Sequence, residues 1–382
     1  MSRTTDRLYV FGFLGLLGGL SLLFLLLPKL SFSELENRSL ERSPELTWDN
    51  LWSKAFAEQS ENFVTDHFPF RDSWVSLKSM TEQLRLQQEN NGIYKGQDGM
   101  LLEKFGQPDY LLLKQYAEAI GSFVKGHGKA KMTFLLAPNS IGLYPERLPL
   151  LASAYPQNEV IRYVQQQVAG SLTFLNGYEL LKPYLKEDRP LYYRTDHHWT
   201  TYGAYLAYAA YARQMGWQPK PESDFEVETV TRSFLGSYHT RSQFSGLTPD
   251  TIEIYQPKEP VSSELYIADT DKTRNSLYDS SYLTKKDKYG YFQGGVHALM
   301  TFKLKLKPEH VDRQKLLVIK DSYAHSMLPF LSLHVPELHV IDIRYYNGNI
   351  GVYLMENEIE DVLLLFNTST FVTNQEVLKL GR

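Results

Sequence analysis

Cysteine is absent from the 382-residue chain, which excludes disulfides, thiolate zinc sites and cysteine nucleophiles. Dense runs of lysine and arginine are also missing, and 40 basic against 44 acidic side chains leave a net charge of −4. Because neutralising phosphates requires a positive surface, we expect no nucleic-acid partner. Hydrophobic residues make up 43% and charged residues 22% of the chain. This composition is typical of proteins that bury a core and argues against disorder and fibrous repeats.

One long hydrophobic run stands near the N-terminus, where residues 8–27 carry no charge. At about 1.5 Å per residue, a helix of this length crosses the roughly 30 Å hydrocarbon core of a bilayer. Arg3 and Arg7 precede the run, which favours a cytoplasmic N-terminus. The segment that follows, residues 28–32, is a poor signal-peptidase site. We therefore interpret residues 1–30 as an uncleaved signal anchor in the cell membrane, with a cleaved signal peptide or a buried terminal helix as alternatives, and expect the rest to be extracytoplasmic.

Beyond the anchor, residues 31–60 are polar and irregular and are expected to link it to a domain over residues 61–382. Within that domain, short apolar runs alternate with amphipathic patterns, which indicates an α/β fold with a parallel sheet flanked by helices. Ligands bind such sheets beyond the carboxyl ends of the strands. Residues 219–313 are richer in turns, polar groups and short alternating pieces and are expected to form an insertion or a β-rich excursion. The patterns predict strands over 131–137, 172–175, 316–319, 338–343 and 362–366, a hairpin over 92–106, and helices over 52–88 (interrupted at 68–70), 110–125, 158–169, 200–215, 323–334 and 351–359.

Polar residues follow the predicted strand 316–319, where Lys320, Asp321 and Ser322 lead into a helical pattern. Ser322 is therefore expected at a strand-to-helix turn. Unpaired backbone N–H groups and the helix dipole at such a turn can stabilise an oxyanion. Two interpretations stay open: Asp321 or Ser322 caps the helix, or Ser322 is a nucleophile.

A second candidate segment contains Asp196, His197, His198 and Trp199. A nucleophilic serine needs a base, and the base needs a carboxylate that fixes its tautomer. Side chains alternate in an extended segment, so Asp196 and His198 would lie on one face and His197 on the other. His198 could then serve Ser322, provided that the fold brings the two together. A metal site and a helix N-terminus capped by Asp196 remain alternatives.

Further residues have a weaker claim to a site. Residues 61–72 combine charge, histidine and aromatic side chains beside a proline, and we favour a structural role for them. Gly294 and Gly295 form a turn that a ligand can approach closely. The remaining candidate pocket residues, which lie one helical turn past Ser322 or at predicted carboxyl ends of strands, are His325, Tyr323, Arg344, Tyr345 and Asn367.

Seven sequence blocks, in order, resemble those of one family. The block TDHHWT at 195–200 resembles the motif that names the DHHW family of bacterial extracytoplasmic proteins. This family is similar in turn to the SGNH-hydrolase-like proteins of alginate O-acetylation, in which an Asp-x-His-Trp segment precedes the serine. Since the serine comes first in ordinary SGNH hydrolases, the resemblance implies a circularly permuted SGNH-hydrolase-like sheet. The other blocks are ENFVTDHFPFRD (61–72), FLGSYHTRS (234–242), DKYGYFQGG (287–295), LLVIKDSYAHS (316–326), HVIDIRYY (339–346) and EDVLLLFN (360–367).

The resemblance implies a nucleophile at Ser322, a base at His198 and an orienting carboxylate at Asp196. It implies a membrane-anchored O-acetyltransferase that modifies a cell-envelope or exported polysaccharide through an acetyl-serine intermediate. No metal or soluble cofactor is then required, and a multipass membrane acyltransferase of the MBOAT type would supply the acetyl group. Val296 stands where the family's glycine block would carry an asparagine, and His325 where a smaller polar residue is expected. A side-chain oxyanion donor is therefore missing from the expected position.

Two rival functions fit the same residues. A carbohydrate esterase would use the same serine, histidine and aspartate with water as the acceptor. A non-catalytic polysaccharide-binding or assembly protein would keep the motif for structure. Transfer of acetyl to a saccharide, hydrolysis without transfer, and glycan binding that does not need Ser322 would distinguish the three.

Overall fold

Two units make up the chain in the computed structural model. Residues 1–87 with 243–245 form the first unit, and residues 88–242 with 246–382 form the second. Residues 1–2 of the predicted anchor and 34–37 of the predicted linker lie outside the described residues. The structure describes residues 3–33, 38–85 and 87–381.

The first unit opens with a helix of 24 residues, α1. Its stretch Arg7–Leu26 is long and apolar enough to cross a membrane, as the uncharged run predicts. A break at residues 67–70 separates two later helices, close to the interruption predicted at residues 68–70. Phe70 in this break has a left-handed φ of 58°. Part of the predicted linker is helical. The elements are α1 (Arg3–Leu26), β1 (Phe32–Ser33), β2 (Arg38–Ser39), α2 (Trp48–Trp52), α3 (Ala55–Asp66) and α4 (Arg71–Leu84).

The second unit alternates strands and helices along most of its length. Its strands are β3 (Glu89–Asn90), β4 (Ile93–Lys95), β5 (Leu101–Glu103), β6 (Lys131–Ala137), β7 (Thr173–Asn176), β8 (Phe225–Phe234), β9 (Asp250–Pro257), β10 (Ser263–Ile267), β11 (Lys272–Arg274), β12 (Leu299–Leu304), β13 (Lys315–Lys320), β14 (Glu337–Asp342) and β15 (Asp361–Asn367). Its α-helices are α5 (Tyr110–Gly126), α6 (Ser140–Leu143), α7 (Gln157–Gln167), α8 (Gly177–Leu181), α9 (Thr201–Met215), α10 (Ser237–Ser242), α11 (Leu328–Leu331), α12 (Ile350–Glu356) and α13 (Thr368–Phe371).

Eight of these strands form one mixed sheet in the order β11-β10-β12-β14-β13-β15-β6-β7. The five strands from β14 to β7 are parallel, as the alternating pattern predicts. The other three are antiparallel and come from the segment predicted as an insertion. That segment therefore extends the sheet along one edge, while β8 and β9 form a separate antiparallel ribbon.

The helix predicted over residues 323–334 is broken in the structure. A short 3₁₀ turn, Ser322–Ser326, is followed by α11. Pro329 stands in the first turn of α11. It has no N–H to donate to the preceding turn, so a continuous helix through this position is disfavoured.

Burial explains why the central strands read as unbroken apolar runs. Every residue of β15 is buried, as are all residues of β6 and β13 after the first. Side chains on both faces of these strands are thus covered, as expected of a parallel sheet between layers. The carboxyl ends of β13, β14 and β15 lie side by side in this sheet, and the candidate site is built there.

Candidate active site

Asp321 and Ser322 follow β13 directly, and the structure gives them different tasks. Oδ1 of Asp321 accepts the backbone N–H of Tyr323 at 2.9 Å. Its Oδ2 accepts the backbone and side-chain N–H groups of Asn367, at 2.8 and 2.7 Å. Asp321 therefore caps the turn and ties it to the end of β15. Capping is therefore the task of Asp321, and the hydroxyl of Ser322 is left for another partner.

The Asp196–Trp199 segment is a tight loop. Its base is closed by a bridge between Tyr192 and Trp199. Oδ1 of Asp196 accepts the backbone N–H of His198 at 2.9 Å, which turns the chain back on itself. The fully buried indole of Trp199 donates its N–H to the carbonyl oxygen of Tyr323 at 2.9 Å. This bond fastens the loop to the turn that carries Ser322.

Asp196, His198 and Ser322 are joined by hydrogen bonds in the second unit. Nδ1 of His198 lies 2.6 Å from Oδ1 of Asp196, and because an ionised carboxylate only accepts, the proton is on Nδ1. Nε2 is then free to accept the hydroxyl proton of Ser322 at 2.8 Å. All three side chains are buried, Ser322 being 9% exposed. The ring of Tyr289 stacks on His198, with centroids 3.7 Å apart and planes 12° apart, and fixes its orientation.

The charges at this site are set by burial and by the two histidines. Burial alone raises the pKa of Asp196, but His197, His198 and the N–H of Ser237 outweigh it and hold the pKa below its ordinary value. Burial lowers the pKa of His198, and Asp196 offsets part of that effect. Asp196 is therefore ionised and His198 neutral at neutral pH. A neutral His198 is in the state that accepts a proton.

His197 does not lie where the sequence predicts. The loop bends between residues 194 and 198, so simple alternation fails and the two histidine rings sit 3.7 Å apart. Nδ1 of His197 contacts Oγ of Ser237 at 2.6 Å, and its Nε2 lies 3.5 Å from Oγ of Ser322. Burial and His198 lower the pKa of His197 to about 4. A second neutral imidazole thus faces Ser322.

Gly236 and Asp250 hold the loop, and neither was singled out from the sequence. Asp250 accepts both the N–H and the hydroxyl of Thr195, at 2.8 and 2.6 Å. Oδ2 of Asp196 accepts the N–H of Ser237 at 2.7 Å. A Cβ on Gly236 would lie 2.3 Å from the Asp196 side chain, so only glycine allows this approach. The FLGSYHTRS block was the available signal, since it places Gly236 and Ser237 together.

Asp196, His197 and His198 are the one group of three potential metal ligands within residues 3–33, 38–85 and 87–381, with donor atoms within 4.8 Å of one another. Those donors are engaged by protein groups: Asp196 with His198 and Ser237, His197 with Ser237, and His198 with Ser322. A metal ion would have to displace the 2.6 Å Asp196–His198 bond. The donor set as arranged suits proton transfer better than metal binding.

Of the other predicted pocket residues, two are buried and two are at least partly exposed. Tyr323 is buried, and its hydroxyl contacts the carbonyl of His197 and the amide of Asn139. Asn367 is buried against Asp321. Arg344 is partly exposed and grips Asp342 through two N–H groups at 2.8 and 2.7 Å. Tyr345 is exposed.

His325 is buried beside Lys320, a residue to which the sequence assigned no role. Nζ of Lys320 lies 2.7 Å from Nε2 of His325 and 2.9 Å from Oδ2 of Asp342. Burial and Lys320 hold the pKa of His325 well below its usual range. His325 is therefore a neutral acceptor for a buried lysine rather than a hydrogen-bond partner of Ser322.

Gly294 and Gly295 have positive φ values of 80° and 94°, as expected of a glycine turn. A Cβ on Gly294 would meet the Arg274 guanidinium at 2.5 Å, and one on Gly295 would meet the Tyr282 hydroxyl at 3.2 Å. Their close contacts are thus to Arg274 and Tyr282. The block at residues 287–295 reaches the site through two other residues. Tyr289 stacks on His198 and donates its hydroxyl proton to Oγ of Ser326 at 3.2 Å. Gln293 donates to the carbonyl of His325 at 3.2 Å.

We predict that Gly236→Ala displaces the Asp196 carboxylate and weakens its bond to His198. The expected results are loss of the downfield imidazole N–H resonance in proton NMR spectra and a decrease of about 1–3 kcal/mol in the free energy of unfolding. Gly106→Ala is the matched control, because no atom lies within 4 Å of a Cβ there. An unchanged downfield resonance in Gly236→Ala would contradict the prediction.

The fold resembles several solved structures. A DHHW family protein from Eubacterium siraeum DSM 15702 is 24% identical, with a TM-score of 0.63, over 76% of this chain and 96% of its own. PatB1 of Bacillus cereus, solved with a sulfonyl adduct, is 19% identical, with a TM-score of 0.63, over 74% of this chain and 97% of its own. The O-acetyltransferase domain of AlgJ from Pseudomonas putida is a weaker match, 14% identical with a TM-score of 0.46, over 76% of this chain and 99% of its own. The first two likenesses show a shared mixed α/β fold.

No curated protein sequence matches the chain. The family model described as "DHHW protein" matches residues 126–341. The match covers more than half of the chain and includes the Asp196–Trp199 loop and Ser322. The chain therefore belongs to the DHHW family.

Proposed function

We propose that the chain is a membrane-anchored, extracytoplasmic O-acetyltransferase of the SGNH-like serine type. The observation that carries the proposal is the buried set of hydrogen bonds from Ser322 through His198 to Asp196. This geometry supports a nucleophilic serine with an oriented base. The choice of acetyl transfer to an envelope or exported polysaccharide rests on the ordered sequence blocks that resemble those of the DHHW family, and on the similarity of that family to the proteins of alginate O-acetylation.

In the proposed first half-reaction, Oγ of Ser322 attacks the acyl carbonyl and Nε2 of His198 takes the hydroxyl proton. The ionised Asp196 holds the Nδ1 proton and stabilises the imidazolium that forms. The proton on Nε2 then passes to the leaving group, and acetyl-Ser322 remains. In the second half-reaction, His198 removes the proton of a sugar hydroxyl, which attacks the acetyl-serine and regenerates Ser322.

His197 is the proposed side-chain donor to the oxyanion. If the Ser237 hydroxyl donates to Nδ1, the single proton of the neutral ring is on Nε2, which lies 3.5 Å from Oγ of Ser322. The oxyanion forms on the carbon bonded to that Oγ, within reach of the same N–H. The Ser322 backbone N–H, which has no hydrogen bond to the described part of the chain, is the second donor. His197 would thus replace the asparagine that the sequence lacks at Val296.

The remaining parts of the proposal concern supply and location. The apolar run 8–27, which α1 contains up to Leu26, would span the membrane and keep the second unit on the extracytoplasmic side. A multipass MBOAT-type acyltransferase would deliver the acetyl group across the membrane to Ser322. The polysaccharide would be the acceptor.

Intact mass after incubation with an activated acetyl ester tests the covalent step. We expect one acetyl adduct on the wild-type chain and none on Ser322→Ala or His198→Ala. Ser332→Ala is the matched control, because its buried hydroxyl bonds to the carbonyl of Pro329. An adduct that survives in Ser322→Ala would contradict the proposed nucleophile. If added oligosaccharide gained no acetyl while free acetate accumulated, the enzyme would be an esterase.

The rate of serine modification should depend on the protonation of His198. Because burial lowers the pKa of His198 below 6.5, the neutral base persists through that pH and is lost only at more acidic values. We expect the rate of Ser322 labelling by a sulfonyl fluoride, followed by mass spectrometry, to stay level from mildly alkaline pH to 6.5 and then fall. A midpoint above 6.5 would show that His198 is not held neutral by its surroundings.

Substitutions of His197 test the proposed oxyanion donor. His197→Leu removes the N–H, so acetylation of Ser322 should slow by about 100- to 1,000-fold through the catalytic rate rather than through KM. His197→Gln places an amide N–H near the same position and should restore part of that loss. If the two variants were equally slow, with unchanged thermal stability, His197 would not act as a hydrogen-bond donor.

A further inference from the structure

Two helices of the first unit expose apolar stripes to solvent. On α2, Trp48, Leu51 and Trp52 are 78%, 45% and 83% exposed. On α4, Trp74, Leu77 and Met80 are 50%, 51% and 53% exposed. We call these two sets the tryptophan stripes. The residues recur at intervals of three and four, which places each set on one side of its helix.

Such exposure is unusual for amphipathic helices of a soluble domain, which turn the apolar stripe towards a core. Scattered exposed apolar residues are normal, whereas exposed rows of large ones mark an interaction surface. The indole N–H groups of Trp48 and Trp52 make no hydrogen bond within the described residues, while that of Trp74 donates to the carbonyl of Pro69 at 3.1 Å. Tryptophan with a free N–H suits the boundary between lipid tails and headgroups, where the ring is covered and the N–H stays wet.

Contacts inside the first unit hold α3 at the end of the apolar helix α1. The rings of Phe24 in α1 and Phe63 in α3 meet edge-on with centroids 6.1 Å apart. Nε2 of His67, which follows α3, lies 3.0 Å from the carbonyl oxygen of Leu30. Short connections, residues 53–54 and 67–70, join α3 to α2 and α4. The tryptophan stripes are thus carried on helices adjoining the one that meets the exit of α1.

We propose that the tryptophan stripes lie in the interface of the lipid bilayer on the side where α1 emerges. The proposal rests on the proposed span of α1 and is separate from the chemistry of Ser322. The apolar side chains of the stripes would be buried in the headgroup region, as those of amphipathic helices are at membrane surfaces. With one span and two interfacial helices, the first unit would be fixed in depth at the membrane surface.

Tryptophan fluorescence offers a direct test, because the chain has five tryptophans and none within residues 8–27. Trp199 and Trp217 are buried in the second unit, so only Trp48, Trp52 and Trp74 should meet lipid. The full chain would be reconstituted into phosphatidylcholine vesicles whose acyl chains are brominated near the headgroup, brominated near the terminal methyl, or unbrominated. We expect quenching, strongest with bromine near the headgroup.

Variants assign the signal to the stripes. Trp48→Phe with Trp52→Phe should lose most of the quenching, while the buried Trp217→Phe should retain it. Sulfonyl labelling of Ser322 at the wild-type rate would show that the second unit of each variant is folded.

Flotation of the vesicles separates the two ways in which the proposal can fail. A chain that does not float with the vesicles would refute the span of α1 and this proposal with it. A chain that floats but is not quenched would leave the span intact and overturn the interfacial position. Emission that is not quenched, and whose maximum shifts to longer wavelength only on dilution, would show that a second copy of the chain buries the stripes.

Discussion

The hydrogen bond from the Trp199 indole to the carbonyl oxygen of Tyr323 is the constraint on which the site depends. It joins a loop and a turn that are more than 120 residues apart in the sequence. Both groups are buried, so the bond forms away from competing water. The same indole N–H also lies 3.1 Å from Oγ of Ser326, which fastens it a second time to this turn. Because Trp199 follows His198 and Tyr323 follows Ser322, the Trp199–Tyr323 bond helps to hold the side chains of His198 and Ser322 within hydrogen-bonding distance. Trp199 thus positions the neighbouring His198 relative to the turn that carries Ser322.

A buried ionic network lies beneath the same turn. Lys320 is fully buried between Asp342 and His325, and Arg344 closes the network from the partly exposed side. Burying a lysine is costly unless it is paired and hydrogen-bonded, and here Asp342 and His325 take two of its three N–H donors. The network links the carboxyl end of β13, which leads into Ser322, to that of β14. Its most direct effect is on geometry, since it prevents the two strand ends from separating.

The sequence allowed prediction of the parallel strands, the helices between them and the pairing of Asp196 with His198. These features depend on local pattern: apolar runs, amphipathic periods and side chains two residues apart. The antiparallel edge was predicted only as an insertion or a β-rich excursion, because β10 to β12 carry short, mixed patterns that do not define individual strands. The continuous helix predicted after Ser322 was wrong because Pro329 interrupts it, and helical periodicity alone ignores the missing N–H.

The errors within the site have the same physical origin. His197 was expected on the far face because alternation was assumed, whereas the Asp196 carboxylate bends the loop and brings both histidines to Ser322. Gly236 and Asp250 act through contacts from distant segments, which no local pattern encodes. Lys320 was read as a polar strand end, although its partner Asp342 comes from the neighbouring strand.

The position of β15 has a consequence for biosynthesis. It is the latest of the eight strands in the sequence, yet it lies between β13 and β6 at the middle of the sheet. A chain that emerges from its N-terminal end must leave β6 without this neighbour until residues 361–367 arrive. Asn367, at the end of that strand, also supplies two of the N–H groups that hold Asp321. The turn that carries Ser322 therefore acquires these two hydrogen bonds only after residue 367 has been added to the chain.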